Sequence, residues 1–288
     1  MRIGFVTCVR LGLSCMEAIY QAGGRLDFAM TLRDDLAPGK SGRVRLDDFC
    51  AAQALPLHKI ANINDAEAIA AVRRADLDWL FVVGWSQLAK ADVLTATRRG
   101  VLGMHPTLLP VGRGRAPIPW AILLGLPQTG VTLFQMDLGV DSGPIIAQTP
   151  ITLAPRETAT TLYAKVAAAH ATLLRDQWHA LVSDRLQPRT QDESRATVWP
   201  ARKPEDGQLL AQMPVADAER LVRAVTHPYP GAFMWTPEGR LTVWSSGAPL
   251  EDLGGAGQVD TVRRLQFSDG WIDATGWTLD TDTAVNDS

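Results

Sequence analysis

The first part of this chain alternates between two kinds of segment. Runs that are near-continuously apolar, "RIGFVT" (residues 2–7), "LDFAMTL" (26–32) and "WLFVVGW" (79–85), and a short "LPLHKI" (55–60), are separated by stretches with apolar residues at helical spacing: "SCMEAIYQAG" (14–23), "VRLDDFCAAQA" (44–54) and "DAEAIAAVRRA" (65–75). A strand with one wet face alternates apolar and polar residues, and these do not. They read as strands covered on both faces, which is the pattern of a parallel sheet clad in helices. In such sheets a ligand sits beyond the carboxyl ends of the strands. "VVGWSQ" and "VLGMHP" each end a strand, so Gly84, Trp85 and His105 are expected to line one crevice.

The same segments exclude two function classes. After the first strand, "TCVRLGLS" holds one glycine where a dinucleotide fingerprint needs three, which argues against a nicotinamide cofactor. No phosphate-cradling P-loop is present either.

Residues 157–184 read as one long helix that Thr158 or Thr160 could cap. A polar, proline-containing stretch follows, and then the pattern changes. One helix, "ADAERLVRAV", precedes short strands between glycines and prolines: "GAFMWT", "RLTVWSS", "GQVDTV" (257–262) and "RLQFSDGWIDATGW". The expected architecture is α/β: a doubly wound, mostly parallel sheet over residues 1–184, a linker over 185–205, and a smaller β-rich, OB-like domain over 206–280. The polar end, residues 281–288, is expected to fray.

Composition bounds the partners. A 46% hydrophobic content in 288 residues suffices for a proper core. A formal net charge of -3 does not describe a dedicated nucleic-acid surface. Cys8, Cys15 and Cys50 read as reduced core thiols, neither a disulfide frame nor a zinc site. His58, His170, His179 and His227 read as structural or exposed, and no pair has metal-ligand spacing. With no signal-peptide pattern and no apolar run near ~18 residues, the expectation is a cytoplasmic protein without a membrane partner.

"MHPTLLPVGRGRAPIPWAI", "TGVTLFQMDLGVDSGPIIAQ", "RKPEDG" and "RAVTHPYPGAF", in that order, resemble the 10-formyltetrahydrofolate-dependent formyltransferases. This family includes the methionyl-tRNA enzyme and enzymes that formylate amino sugars on nucleotide carriers. The resemblance implies a Rossmann-like formyltransferase domain and 10-formyltetrahydrofolate as formyl donor. It also implies a family pattern of Asn-x-His and an aspartate in a D-x-G turn. His105 matches the histidine, Asp141 the aspartate, and the position of the asparagine is Gly103.

That pairing suits acyl transfer to an amine. The attacking nitrogen must lose a proton, which a histidine accepts near neutrality, and an acidic partner orients the ring. A glycine supplies no side-chain donor to the developing oxyanion. A backbone N–H, an ordered water, His105 itself or a substrate group would have to do so. Gly103 could instead answer a backbone need, a positive φ or close approach of the cofactor. The resemblance places the pterin near Gly84, Trp85 and Leu88 and the Gly139, Val140, Asp141 loop, with Leu109 and Pro110 walling the formyl site. Thr107, Arg113 and Arg115 are the candidate acceptor contacts, the two arginines as anion forks.

Three functions compete on these residues. The first is an N-formyltransferase for a small primary amine, foremost a nucleotide-linked amino sugar, in an enzyme that could be a homodimer. The second is a methionyl-tRNA formyltransferase, which needs phosphate-neutralising cations, here Arg185, Arg189, Arg195, Arg202 and Lys203. The third is a catalytically impaired folate-binding protein.

Overall fold

The computed structural model describes residues 1–36, 42–247 and 262–281. The expected strand at 257–262 falls, but for Val262, outside them, as does the polar end beyond Thr281.

The chain divides into two compact units: Met1–Gly114, Gln128–Thr152 and Ala164–Trp199 in the first, and Arg115–Pro127, Leu153–Tyr163 and Pro200–Ser288 in the second. In chain order the elements are β1 (Ile3–Val6), α1 (Arg10–Gln21), β2 (Phe28–Leu32), α2 (Asp47–Ala52), β3 (Leu57–Ile60), α3 (Ala66–Arg74), β4 (Trp79–Val83), α4 (Ala91–Leu94) and β5 (Gly100–His105). There follow β6 (Arg113–Gly114), α5 (Pro117–Leu123), β7 (Gln128–Gln135), β8 (Ile145–Thr152), α6 (Ala159–Val182), β9 (Val198–Trp199), α7 (Val215–Val225), β10 (Ala232–Thr236), β11 (Gly239–Ser246), β12 (Arg263–Phe267) and β13 (Gly270–Asp280).

The first unit is built on a seven-stranded sheet of order β3-β2-β1-β4-β5-β7-β8. β1 to β5 pair in parallel, and β7 and β8 run antiparallel. Every residue of β1, β2 and β4 is buried, as their unbroken apolar character requires. The strand order reverses between β1 and β4, which makes their carboxyl ends the switch point where such sheets open a crevice. Cys8, Cys15 and Cys50 are buried thiols, and none of them is in a disulfide among the described residues.

α6 begins on a reciprocal cap: the Thr161 N–H donates to Thr158 Oγ1 at 3.2 Å, and the Thr158 N–H to Thr161 Oγ1 at 3.1 Å. The other candidate cap, Thr160, donates its hydroxyl to the His227 carbonyl instead. In the stretch read as linker, residues 185–199 are built into the first unit. Arg189 and Ile145 exchange two backbone bonds of 2.8 Å, and β9 lies in parallel with β6. A polar sequence here hides a buried side chain, Gln191, 5% exposed.

The second unit carries a four-stranded antiparallel sheet of order β10-β11-β13-β12. α7 buries Ala218, Leu221, Val222, Ala224 and Val225 along one stripe.

Candidate active site

β5 ends on His105. Val83 of the neighbouring β4 lies opposite Met104, so the chain leaves β4 at Gly84 beside the histidine. Trp85 packs on Cys8 and Leu32, and its indole N–H donates to Gln87 Oε1 at 3.2 Å. Gln87 is itself fixed: its amide donates to the Ala61 carbonyl, and its oxygen accepts the Ile63 N–H. Together with Leu36, Ala61 and Ser86 these residues line a cavity of about 260 Å³ over the strand ends. Leu88, which follows, is 68% exposed.

The His105 imidazole is buried, 7% exposed, and both ring nitrogens have protein neighbours. Nε2 lies 2.8 Å from the Gly112 carbonyl oxygen. A carbonyl only accepts, so Nε2 carries a proton and donates. Nδ1 faces Asp141 Oδ2 at 3.5 Å. That same carboxylate oxygen accepts the Gly114 N–H at 2.9 Å. The two residues of the pair are thus tied to one short loop, the imidazole by Gly112 and the carboxylate by Gly114.

Asp141 arrives there by a tight path. The loop leaves β7 where the Met136 N–H donates to the Val101 carbonyl, then folds back toward the end of β5. Asp141 adopts a left-handed φ of 51°. At Gly143 a Cβ would overlap the Gln135 carbonyl, which explains the glycine of the "DSG" turn. Gly139 donates its N–H to Asp137 Oδ1, while Leu138 and Val140 are 79% and 44% exposed.

His170 of α6 is 1% exposed, and its Nδ1 donates to the Val166 carbonyl at 2.8 Å. Burial, and to a smaller degree the nearby His105 ring, pushes its pKa down to about 4, against the opposing pull of the Val166 and Met104 carbonyls.

Three of the candidate residues have their surroundings set by protein neighbours. Gly103 does not answer a positive φ: an added Cβ would instead meet Phe134 Cε1 and Cζ at 2.8 and 2.9 Å and Met136 Cγ at 3.0 Å. The space beside β5 that a side chain at 103 would take is filled by Phe134 and Met136, packed with Leu109 and Ile145. Arg113 is no open anion fork. It is buried, with two bonds to Gln191 Oε1 (3.1 and 2.9 Å) and two to Glu193 (2.9 and 2.6 Å). The Glu193 carboxylate holds the guanidinium pKa above its ordinary value. Thr107 is 2% exposed, donates its N–H to the His105 carbonyl, and has a buried hydroxyl with no partner among the described residues.

Leu109 and Pro110 are buried, and Leu109 is fixed by Thr132 Oγ1 and the Gln148 amide. Arg115 is exposed, and among the described residues its side chain has no ion pair or hydrogen bond. Sequence reasoning missed the loop groups of Gly112 and Gly114 and the buried Gln191. Among the described residues no group of three or more His, Cys, Asp or Glu could hold a metal ion, and no helix is long and apolar enough to cross a membrane.

A mostly parallel sheet with a strand-end histidine facing an aspartate defines a class, and the family comparison places the chain within it. The formyl transferase model matches residues 40–177, and the formyl transferase C-terminal domain model matches residues 202–272. The chain belongs to the formyl transferase family, whose members are enzymes.

Solved structures share the fold. An N-formyltransferase from Helicobacter canadensis, in complex with folinic acid and dTDP-3-aminofucose, is 15% identical with a TM-score of 0.70, over 96% of this chain and 99% of that one. The sugar 3N-formyl transferase WlaRD, in the presence of dTDP and 5-N-formyl-THF, is 14% identical with a TM-score of 0.69, over 96% and 97%. Methionyl-tRNA formyltransferase from Clostridium thermocellum is 19% identical with a TM-score of 0.59, over 86% and 94%.

Proposed function

We propose that this enzyme transfers the formyl group of 10-formyltetrahydrofolate to a primary amine on a small nucleotide-linked acceptor, foremost an amino sugar. The observation that carries the reading is the His105–Asp141 pair at a strand end, with Nε2 on the Gly112 carbonyl and Nδ1 toward the carboxylate.

The residues present suit a folate. Among the described residues the cavity beside Trp85 is lined by apolar and uncharged polar side chains, which suits a neutral heterocycle. Exposed Leu88, Leu138 and Val140 offer apolar contact on the two loops that the family resemblance assigns to the pterin. Trp85, Gly84 and Leu88, with Gly139 and Val140, would hold the donor, and Leu109 and Pro110 stiffen the wall behind. The donor, when bound, supplies the formyl carbon. His105 does the proton work. The imidazole would accept the proton that the attacking amine sheds and return it to the departing folate nitrogen. The charged ring then lies between an acceptor carbonyl and a carboxylate, which orient and satisfy it.

For the acceptor, support comes from the fold's likeness to two sugar enzymes and from Arg115, exposed and uncommitted one residue beyond Gly114. The tRNA reading has less in its favour. Arg189 donates to Gln148 Oε1, and Arg202 to the Asp206 carbonyl while lying over Trp120. Two of the five cations it needs are thereby engaged.

The test is to incubate the protein and 10-formyltetrahydrofolate with dTDP-linked amino sugars or with methionyl-tRNA, and to follow the acceptor by mass spectrometry. A formylated sugar amine is the expected result. Formylation of methionyl-tRNA alone moves the acceptor to the polynucleotide, and no transfer to any amine overturns the reading.

A further inference from the structure

Gln191 comes from the polar stretch after α6, yet it is 5% exposed and all its hydrogen-bonding capacity is used. Its amide nitrogen donates to the Asp141 carbonyl at 2.8 Å and to the Gly143 carbonyl at 2.7 Å. Its oxygen accepts from Arg113 Nε at 3.1 Å and Nη2 at 2.9 Å. A primary amide has two donors and two lone pairs, and here each has one partner. The orientation is forced, because a flipped amide would set NH₂ against a guanidinium and oxygen against two carbonyls.

The partners on the two sides belong to the two halves of the site. On one side is the turn that carries Asp141, held in a left-handed conformation. On the other is Arg113, between the Gly112 carbonyl that fixes the imidazole and the Gly114 N–H that fixes the carboxylate. Glu193 closes the fork of Arg113, and the ladder of β6 on β9 sets its backbone.

We propose that Gln191 is the positioning residue of the His105–Asp141 pair: one buried amide locks the Asp141 turn to the loop at 112–114 and so sets the geometry between ring and carboxylate. This rests on the formyl-transfer reading for its kinetic consequence, but not for its geometric one.

Gln191→Glu separates the two sides. A carboxylate keeps and strengthens the bonds to Arg113, so the fold keeps its anchor, but it cannot donate to the carbonyls of Asp141 and Gly143. The expected result is a Tm lowered, because an oxygen now faces two carbonyls, but a protein still folded on its Arg113 anchor, and a kcat lowered roughly 10²-fold, the scale of a catalytic group misplaced by about 1 Å. The second readout needs no activity. In protein carrying ¹⁵N-labelled histidine, the His105 ring resonances should shift in the variant while those of His179 stay in place.

Unmoved ring resonances overturn the proposal, whether kcat falls or not, since Gln191 would then act elsewhere. Moved resonances with an unchanged kcat overturn the catalytic part. If the wild-type protein transfers no formyl group, the functional reading fails, and the resonances alone judge the positioning. Should Gln191→Glu fail to fold, Gln191→Asn, which keeps the amide on a stem one methylene shorter, carries the same test.

Discussion

Gly103 and Phe134 face each other across β5 and β7, and the phenyl ring occupies the space that a side chain at 103 would need. Gly103→Ala should therefore destabilise the protein by about 1–3 kcal/mol, the usual cost of overpacking a full core, and Gly103→Asn by at least as much. Denaturant midpoints measure this. Trimming the ring with Phe134→Leu should recover part of the loss in the Asn variant. An Asn variant as stable as wild type would mean that the ring swings aside freely.

His105→Ala should lower the single-turnover rate of formyl transfer by roughly 10²–10⁴, the range of a lost general base, with folate Kd nearly kept. Full activity on the natural acceptor would remove His105 from the mechanism.

Arg115→Ala should raise KM for a diphosphate-bearing acceptor roughly ten- to a hundredfold, the worth of a charge-assisted bond, and leave folate Kd alone. The effect should shrink as salt is added, since the guanidinium is exposed. Equal KM values for wild type and variant would clear Arg115 of anion binding.

His170 makes stability depend on pH. The unfolded imidazole takes its proton near 6.5 and the folded one only near 4. Between those values the unfolded chain binds more protons, so acid favours unfolding. The stabilisation is complete above about 6.5 and is lost as pH falls toward 4, a swing of roughly 3 kcal/mol. Urea midpoints at a series of pH values should fall over this window, and His170→Gln should flatten the fall. Parallel wild-type and variant curves would show that the burial of this ring carries no such cost.

Burial pushes the Cys50 thiol up to about 11 and the Cys15 thiol well beyond its ordinary value. Neither supplies thiolate near neutral pH. Iodoacetamide at pH 7.5 should leave both unlabelled in the native protein and label all three cysteines in urea. Rapid native labelling of Cys15 would contradict its placement in the core.

The parallel half of the sheet was legible because burial on both faces leaves a signature in the sequence, as in "FVV" of β4 and "IGFV" of β1. His105 and Asp141 were legible through long motifs and their separation. What was not legible depends on partners far apart in the chain. Nothing in "GRGR" says that Arg113 turns inward while Arg115 stays out, because that is decided by Glu193 and Gln191 some eighty residues later. Gln191 gives no periodic signal, since one buried amide in a polar stretch looks like any solvated glutamine. The reason for Gly103 was equally hidden: it lies in the ring of Phe134 on another strand.

The two-residue ladder of β6 on β9 has a consequence during synthesis. A nascent chain that has just delivered Asp141 to the ribosomal exit already contains both members of the pair, but neither Gln191 nor the strand at Val198–Trp199 has been made. At about 5–20 residues per second those pieces arrive several seconds later. Until then the loop at 112–114 lacks its pairing with β9, and the Asp141 turn lacks its bonds to Gln191. The full set of bonds around the site is complete only once residue 199 has been added, although the last residue of the pair was joined at 141.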